Sequence, residues 1–304
     1  MTDGNLPEVD AAPRPLPWRQ RPPRRAGGFL SPAVRRVAAE RGIDTATLAR
    51  RTGSGVDGRI AVRDLEGAGA VPKGDERVPF NRVQSRAGAA LLASKHAAAH
   101  ALTIIDTDYS AVDDARGQWR ERFRAQEGFS LTYLPFVARA VVDALHDFPQ
   151  LNASAGDDAL TLHKRVGLGI AVDLDNQGLV VPVVPDAGSL RLRALARAID
   201  DIARRARSKR LTPDDMAGGT FTITNPGGYG TEISVPIINR PQVGILSTDG
   251  VRKRVVADGD ALAIRPTGFL CLSFDHRALD GAYAGAFVAR VRDILEHRDW
   301  LTEL

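Results

Sequence analysis

The stretch Phe269-Leu270-Cys271-Leu272-Ser273-Phe274-Asp275-His276-Arg277-Ala278-Leu279-Asp280-Gly281 decides the reading of this chain. Phe269 to Phe274 is a short apolar run and reads as a buried strand. Beyond Gly281, residues Ala284, Phe287, Val288, Val291 and Leu295 recur at i, i+3 and i+4, so a helix with one apolar face follows. His276 therefore comes directly after a buried strand, and Asp280 stands at a helix start, where a carboxylate caps free amides. A histidine held by backbone contacts at a strand end keeps a ring nitrogen free, as a general base near neutral pH requires. His-x-x-x-Asp by itself is also the pattern of a surface histidine beside a helix cap, and spacing alone favours that plainer reading. Cys271 is the single cysteine. It excludes an internal disulfide, reads as a packed core thiol, and makes a reducing cytoplasm the expected compartment.

Working outward, further strands are expected at Leu102 to Tyr109, Val166 to Val172, Leu179 to Val184, Thr220 to Thr224 and Val243 to Ser247. Helices are expected over Ser85 to Ala98, Val112 to Gln126 and Leu134 to His146. A longer helix places Leu192, Leu195, Ile199 and Ile202 on one face and arginines on the other. These elements make residues 79–304 one large α/β domain. Residues 67–78 are small and flexible in composition and read as a linker. Residues 29–66 hold a compact helical module: Ser31-Pro32 is a cap followed by proline at the first helical position, Val34, Val37 and Ala38 follow at helical spacing, and Gly42 ends the helix. Residues 1–28 are rich in proline and arginine and are expected to be a disordered arm.

Several function classes fall away on composition. Residues 1–70 hold 12 arginines against 8 acidic residues, which accounts for the whole net charge of +4. No aromatic interleaving or zinc-finger pattern accompanies that charge, so an acidic protein partner fits better than nucleic acid. No apolar run approaches the ~20 residues of a membrane helix, and the start Met-Thr-Asp-Gly-Asn has no apolar signal core. His96 and His100 are four apart on a possible helix, but without a cysteine or carboxylate at metal-site spacing they read as helix surface, and no metal is expected.

The block Phe274-Asp275-His276-Arg277 to Asp280-Gly281 resembles the active-site signature of the 2-oxoacid dehydrogenase acyltransferase family. Three more blocks agree in order and spacing: Phe136-Val137 to Phe148-Pro149-Gln150-Leu151-Asn152-Ala153; Gly169-Ile170-Ala171-Val172-Asp173 with Gly178-Leu179-Val180-Val181-Pro182-Val183; and Gly218-Gly219-Thr220-Phe221-Thr222-Ile223-Thr224-Asn225 with Pro236-Ile237-Ile238-Asn239-Arg240-Pro241. The small module, through Ser31-Pro32-Ala33-Val34-Arg35, Gly42-Ile43-Asp44 and Gly58-Arg59-Ile60, resembles that family's peripheral subunit-binding domain. The resemblance implies a chloramphenicol-acetyltransferase-like fold, a mixed sheet flanked by helices, behind a small helical subunit-binding domain. It implies a trimer, with a larger cubic assembly in many members, and active sites between subunits. His276 is then the base, Thr224 the hydroxyl that donates to the oxyanion from a neighbouring subunit, and Asp280 an organiser of the site. Arg35 and Arg59 fall on the family's partner-binding positions, and acetyl-CoA or another acyl-CoA is the co-substrate. Which residues bind CoA is not readable.

Two departures bear on the acceptor. The family's swinging lipoyl domain is too large for residues 1–28. Its early basic positions are Gln84-Ser85 and Ala90-Leu91 here, although Ser94-Lys95 is present. On these grounds the expected reaction is acyl transfer to a small-molecule hydroxyl, such as a tetronate-type intermediate in secondary metabolism. The alternatives are the dihydrolipoamide acyltransferase core of a 2-oxoacid dehydrogenase complex, served by a lipoyl domain in trans, and a non-catalytic scaffold.

Overall fold

The computed structural model describes residues 30–48, 52–66, 75–76, 78–175 and 177–304. The arm expected over 1–28 and most of the linker expected over 67–78 lie outside the described residues. The chain forms two compact units that meet in sequence between Pro79 and Phe80.

In the first unit, α1 (Pro32–Glu40), α2 (Thr45–Leu48) and α3 (Arg63–Glu66) close on Leu30, Val34, Ala38, Leu48 and Leu65. Ser31 caps α1 by accepting from the Val34 amide at 3.3 Å. So few apolar side chains leave most of the loop between α2 and α3 to polar contacts. Asp64 gathers it, accepting from the Ser54 amide (2.9 Å), the Ser54 hydroxyl (2.5 Å) and the Ala61 amide (2.8 Å). Gly53 lies so close to the following chain that a Cβ there would fall 2.3 Å from the Arg59 carbonyl oxygen. Arg35 and Arg59 are exposed, and neither has an ion pair among the described residues.

The second unit starts with α4 (Arg82–Ala97), closed at its head by a capping box between Asn81 and Gln84, 2.9 Å in each direction. Then come β1 (His100–Asp108), α5 (Ser110–Glu127), α6 (Leu134–Asp147), a hairpin of β2 (Ala153–Ala155) and β3 (Leu160–Leu162), β4 (Leu168–Ile170), a second hairpin of β5 (Val172–Asp173) and β6 (Leu179–Val180), and β7 (Val183–Val184). The chain continues with α7 (Leu192–Arg207), β8 (Phe221–Thr224), β9 (Gly244–Thr248), β10 (Arg252–Asp258), β11 (Ala261–Asp275) and α8 (Gly281–His297). The main sheet runs β1-β11-β9-β8-β4-β7, with β10 paired to the first half of β11. It is mixed: β8 runs parallel to β4 and β9, and the other pairs are antiparallel.

Strand alternation gives this sheet two unlike faces. On one, Ile223, Leu246, Leu270, Leu272 and Phe274 join the core with Phe136, Val137 and Val141 of α6 and Phe287, Val288 and Val291 of α8. Phe148 meets Tyr283 and Phe287 edge-on at 5.2 and 5.9 Å. Each large side chain buried there contributes about 1.5–3 kcal/mol. On the other face, the register lines up Thr224, Ser247, Cys271 and Ile104 in one row and Thr222, Ile245 and Ser273 in the next. That row of small and polar side chains is where the candidate site lies.

Candidate active site

The base end of the site is the turn after β11. Asp275, the last residue of the strand, is 2% exposed. His276 is exposed in the turn, and its amide donates to the Ala99 carbonyl at 2.8 Å. Its ring lies 5.5 Å from that of Phe274, and no described residue hydrogen-bonds the imidazole. Asp280 caps α8, accepting from the Tyr283 amide at 2.7 Å. It is exposed and has no ion pair among the described residues. Gln84, where the resemblance led to the expectation of a basic residue, is used in the α4 cap instead.

The hydroxyl end is the C-terminus of β8. Thr224 is half-buried and paired to Ser247. The chain then turns through Asn225-Pro226-Gly227-Gly228-Tyr229-Gly230. Gly227 presses on β9's continuation, where a Cβ would come 2.7 Å from the Asp249 carbonyl carbon. Asp249 is itself 4% exposed and accepts from the Ser234 and Ser247 hydroxyls at 2.7 and 3.1 Å. Cys271 is fully buried in the same row, and burial pushes its thiol pKa up, so it is a packed core thiol as the sequence suggested.

Within one protomer the two ends do not meet. Thr224 is level with Cys271, which precedes His276 by five residues and lies two strands away. At about 3.3 Å per residue along a strand and about 4.8 Å between strands, the separation is roughly 19 Å.

Two features of the site escaped the sequence. Asp275 stood in the signature with no role assigned, because its partner Ala99 is 176 residues away. His100 was placed on a helix surface, but α4 stops at Ala97 and His100 opens β1. There its Nε2 accepts from the Ile238 amide and its Nδ1 lies 3.1 Å from the Ala98 carbonyl oxygen. With the Ser94 hydroxyl donating to the Ile238 carbonyl at 2.6 Å, it clasps the Pro236–Pro241 segment.

The family description "2-oxoacid dehydrogenases acyltransferase (catalytic domain)" matches residues 72–302, and "e3 binding domain" matches residues 28–66. This chain belongs to the 2-oxoacid dehydrogenase acyltransferase family. It is an acyltransferase with the fold the signature implied, a mixed α/β sheet with flanking helices behind a small N-terminal module. It is 35% identical over 90% of its length to the lipoamide acyltransferase component of the branched-chain alpha-keto acid dehydrogenase complex of Bacillus subtilis, covering 72% of that protein. Among solved structures, the dihydrolipoamide acetyltransferase of Azotobacter vinelandii superposes with a TM-score of 0.70 at 34% identity, over 73% of this chain and 91% of that one. That structure was solved to define the roles of one serine, one histidine and one asparagine in its catalytic mechanism. The cubic core of a pyruvate dehydrogenase multienzyme complex matches with a TM-score of 0.70 at 33% identity, over 73% and 91% of the two chains.

These comparisons overturn the expected small-molecule hydroxyl acceptor. The curated relatives are acyltransferase components of 2-oxoacid dehydrogenase complexes, and the similar solved structures are dihydrolipoamide acetyltransferases. No described helix is long and apolar enough to cross a membrane.

Proposed function

We propose that the chain is the acyltransferase core of a 2-oxoacid dehydrogenase complex, exchanging an acyl group between CoA and a dihydrolipoyl thiol. The observation that carries this reading is the pairing of an E3-binding match with the catalytic match in one chain. A stand-alone enzyme acting on small alcohols has no use for such a docking module. The two matches run from residue 28 to residue 302 and neither is a lipoyl domain, so the lipoyl group is presented from outside them, and a lipoyl domain in trans is the substrate to test.

In this reading His276 takes the proton of the attacking thiol. A thiol of pKa ~8.5 needs only modest help from an imidazole. The thiolate adds to the thioester carbonyl, Thr224 donates its hydroxyl hydrogen to the oxyanion, and the leaving thiolate recovers the proton from His276. One such donor is worth about 3 kcal/mol at the transition state. The residue spacing supports these roles. In the Azotobacter enzyme the named serine precedes the named histidine by as many residues as Thr224 precedes His276, and the asparagine follows by four, as Asp280 does here. Asp280 organises the turn by capping α8. The separation of His276 from Thr224 in one protomer supports a site built between copies, as in a trimer, and the likeness to a cubic core supports a larger assembly. Arg35 and Arg59, exposed and without an ion pair among the described residues, are the contacts offered to an acidic face of a dehydrogenase partner.

The test is CoA release from a panel of acyl-CoAs, acetyl-CoA included, with free dihydrolipoamide and with a separate reduced lipoyl domain as acceptors. Turnover that disappears in His276→Ala supports the proposal. A folded, oligomeric protein that is inactive with every acyl-CoA and both acceptors contradicts it.

A further inference from the structure

Asp275 is a buried carboxylate that takes four N–H donors. The Ala99 amide reaches Oδ1 at 3.1 Å, the Arg277 amide reaches Oδ1 at 3.1 Å, Arg277 Nε lies 3.0 Å from Oδ1, and Arg277 Nη2 lies 2.7 Å from Oδ2. A buried charge carries a desolvation cost that a neutral side chain closing the same strand avoids. The pair is therefore better explained by what it does to the residue between its members. His276 stands between Asp275 and Arg277, and its own amide returns to the Ala99 carbonyl at 2.8 Å. Ala99 thus gives one bond to Asp275 and takes one from His276, tying the turn to the α4–β1 connection. The Ala278 and Leu279 amides both fold back on the Asp275 carbonyl, at 2.9 and 3.1 Å. The imidazole itself has no hydrogen-bond partner among the described residues, so its aim depends on this backbone frame and on the Phe274 ring.

We propose that Asp275 and Arg277 are positioning residues for His276, a bidentate ion pair that brackets the base and fixes the direction in which it meets the thiol. The inference rests on His276 being the base. Other charged or titratable groups around the turn are Asp157 and Asp158 at the β2–β3 tip, which with Arg277 line a cavity of about 300 Å³, His100 on β1, Lys95 and His96 near the end of α4, and Asp280 before α8.

The test measures kcat, KM and the acidic limb of the kcat/KM pH profile in the full chain, for Asp275→Asn, Arg277→Gln, Arg277→Lys and the Asp275→Asn/Arg277→Gln double variant. Size-exclusion and circular dichroism confirm the fold of each. A mis-aimed base lowers kcat by about 10- to 100-fold while KM stays within about twofold. Removing the anion disfavours the imidazolium, so Asp275→Asn moves the acidic limb to lower pH. Removing the cation favours it, so Arg277→Gln moves the limb to higher pH, and the double variant returns it towards the wild-type position. Arg277→Lys keeps the charge but not the fork, so it lowers kcat and leaves the limb in place. Should Asp275→Asn fail to fold, the two Arg277 variants still decide the matter by this contrast. Wild-type kcat in the folded variants, or in Asp275→Asn and Arg277→Gln a loss of kcat matched by loss of stability with no movement of the limb, overturns the proposal. His276→Ala runs alongside: if it still turns over, the base reading fails. If it is inactive while the Asp275 and Arg277 variants match the wild type, only the positioning role fails.

Discussion

The two ends of the central sheet face different tasks and are built differently. At the base end, the strand closes on the buried Asp275, clamped by a guanidinium and two amides, and the reactive side chain stands exposed on the next residue. At the hydroxyl end, a guanidinium touches only the loop: Arg252 donates to the Gly230 carbonyl and leaves the reactive strand residue alone. Thr224 stays in the strand and is backed by Ser247, and the loop beyond it is shaped by Gly227 against the Asp249 backbone. A base on a turn needs its backbone held from both sides, whereas a hydroxyl on a strand inherits its aim from the sheet. In one protomer the two ends stay apart, and under the proposed function contact between copies is then part of the chemistry rather than only of assembly.

The largest effect is expected at the base end. His276→Ala should lower kcat by about 10²- to 10⁴-fold, the usual contribution of a general base, with the oligomer unchanged by light scattering. At the hydroxyl end, Thr224→Val should cost about 10²- to 10³-fold in kcat, and Thr224→Ser should restore most of it; a wild-type rate in Thr224→Val would take the oxyanion role away from this strand. Gly227→Ala sharpens the comparison from the packing side. The added methyl meets backbone at 2.7 Å and overpacking of this kind costs about 1–3 kcal/mol, so thermal unfolding should come earlier, and activity should fall through Thr224 while the pH profile set by His276 stays in place.

The smallest effect concerns acid. Burial raises the Asp275 pKa, but the hydrogen bonds from Arg277 and from the Arg277 and Ala99 amides outweigh it and hold the carboxyl below its ordinary value. A depressed folded pKa means the stabilisation is complete above the unfolded value, 3.8, and is lost as pH falls below it. Hydrogen exchange at the Ala99 and Arg277 amides, corrected for intrinsic rates, should therefore lose protection as the pH falls below about 4 before the β8–β9 amides do. Simultaneous loss at both ends would erase the distinction.

Much of this was legible in the sequence, for identifiable reasons. The apolar run before His276 and the i, i+3, i+4 stripe after Gly281 can only be a core strand and a core helix, and they place His276 and Asp280 where the structure has them. What escaped was exposed or distant. β10, Arg252–Asp258, and the first half of β11 form a ribbon with Val255, Leu262 and Ile264 in solvent, so no inside-outside alternation marks them. The β2–β3 hairpin has three residues per strand, too few for a period. His96 and His100 share a helical spacing, but the helix ends between them. The acceptor was misread because the residues that carry the signature, Asp275 to Gly281, mark an acyltransferase and not what it acylates.

The most direct measurement mixes two inactive proteins. His276→Ala and Thr224→Val variants, dissociated and reassembled together in equal amounts, should form oligomers in which some sites take histidine from one copy and threonine from another. Random pairing across each interface of a symmetric oligomer leaves about a quarter of the sites intact, so about a quarter of wild-type acyl transfer to dihydrolipoamide should return. Activity no higher than that of the two variants assayed apart, in oligomers shown to contain both chains, would contradict a site shared between copies.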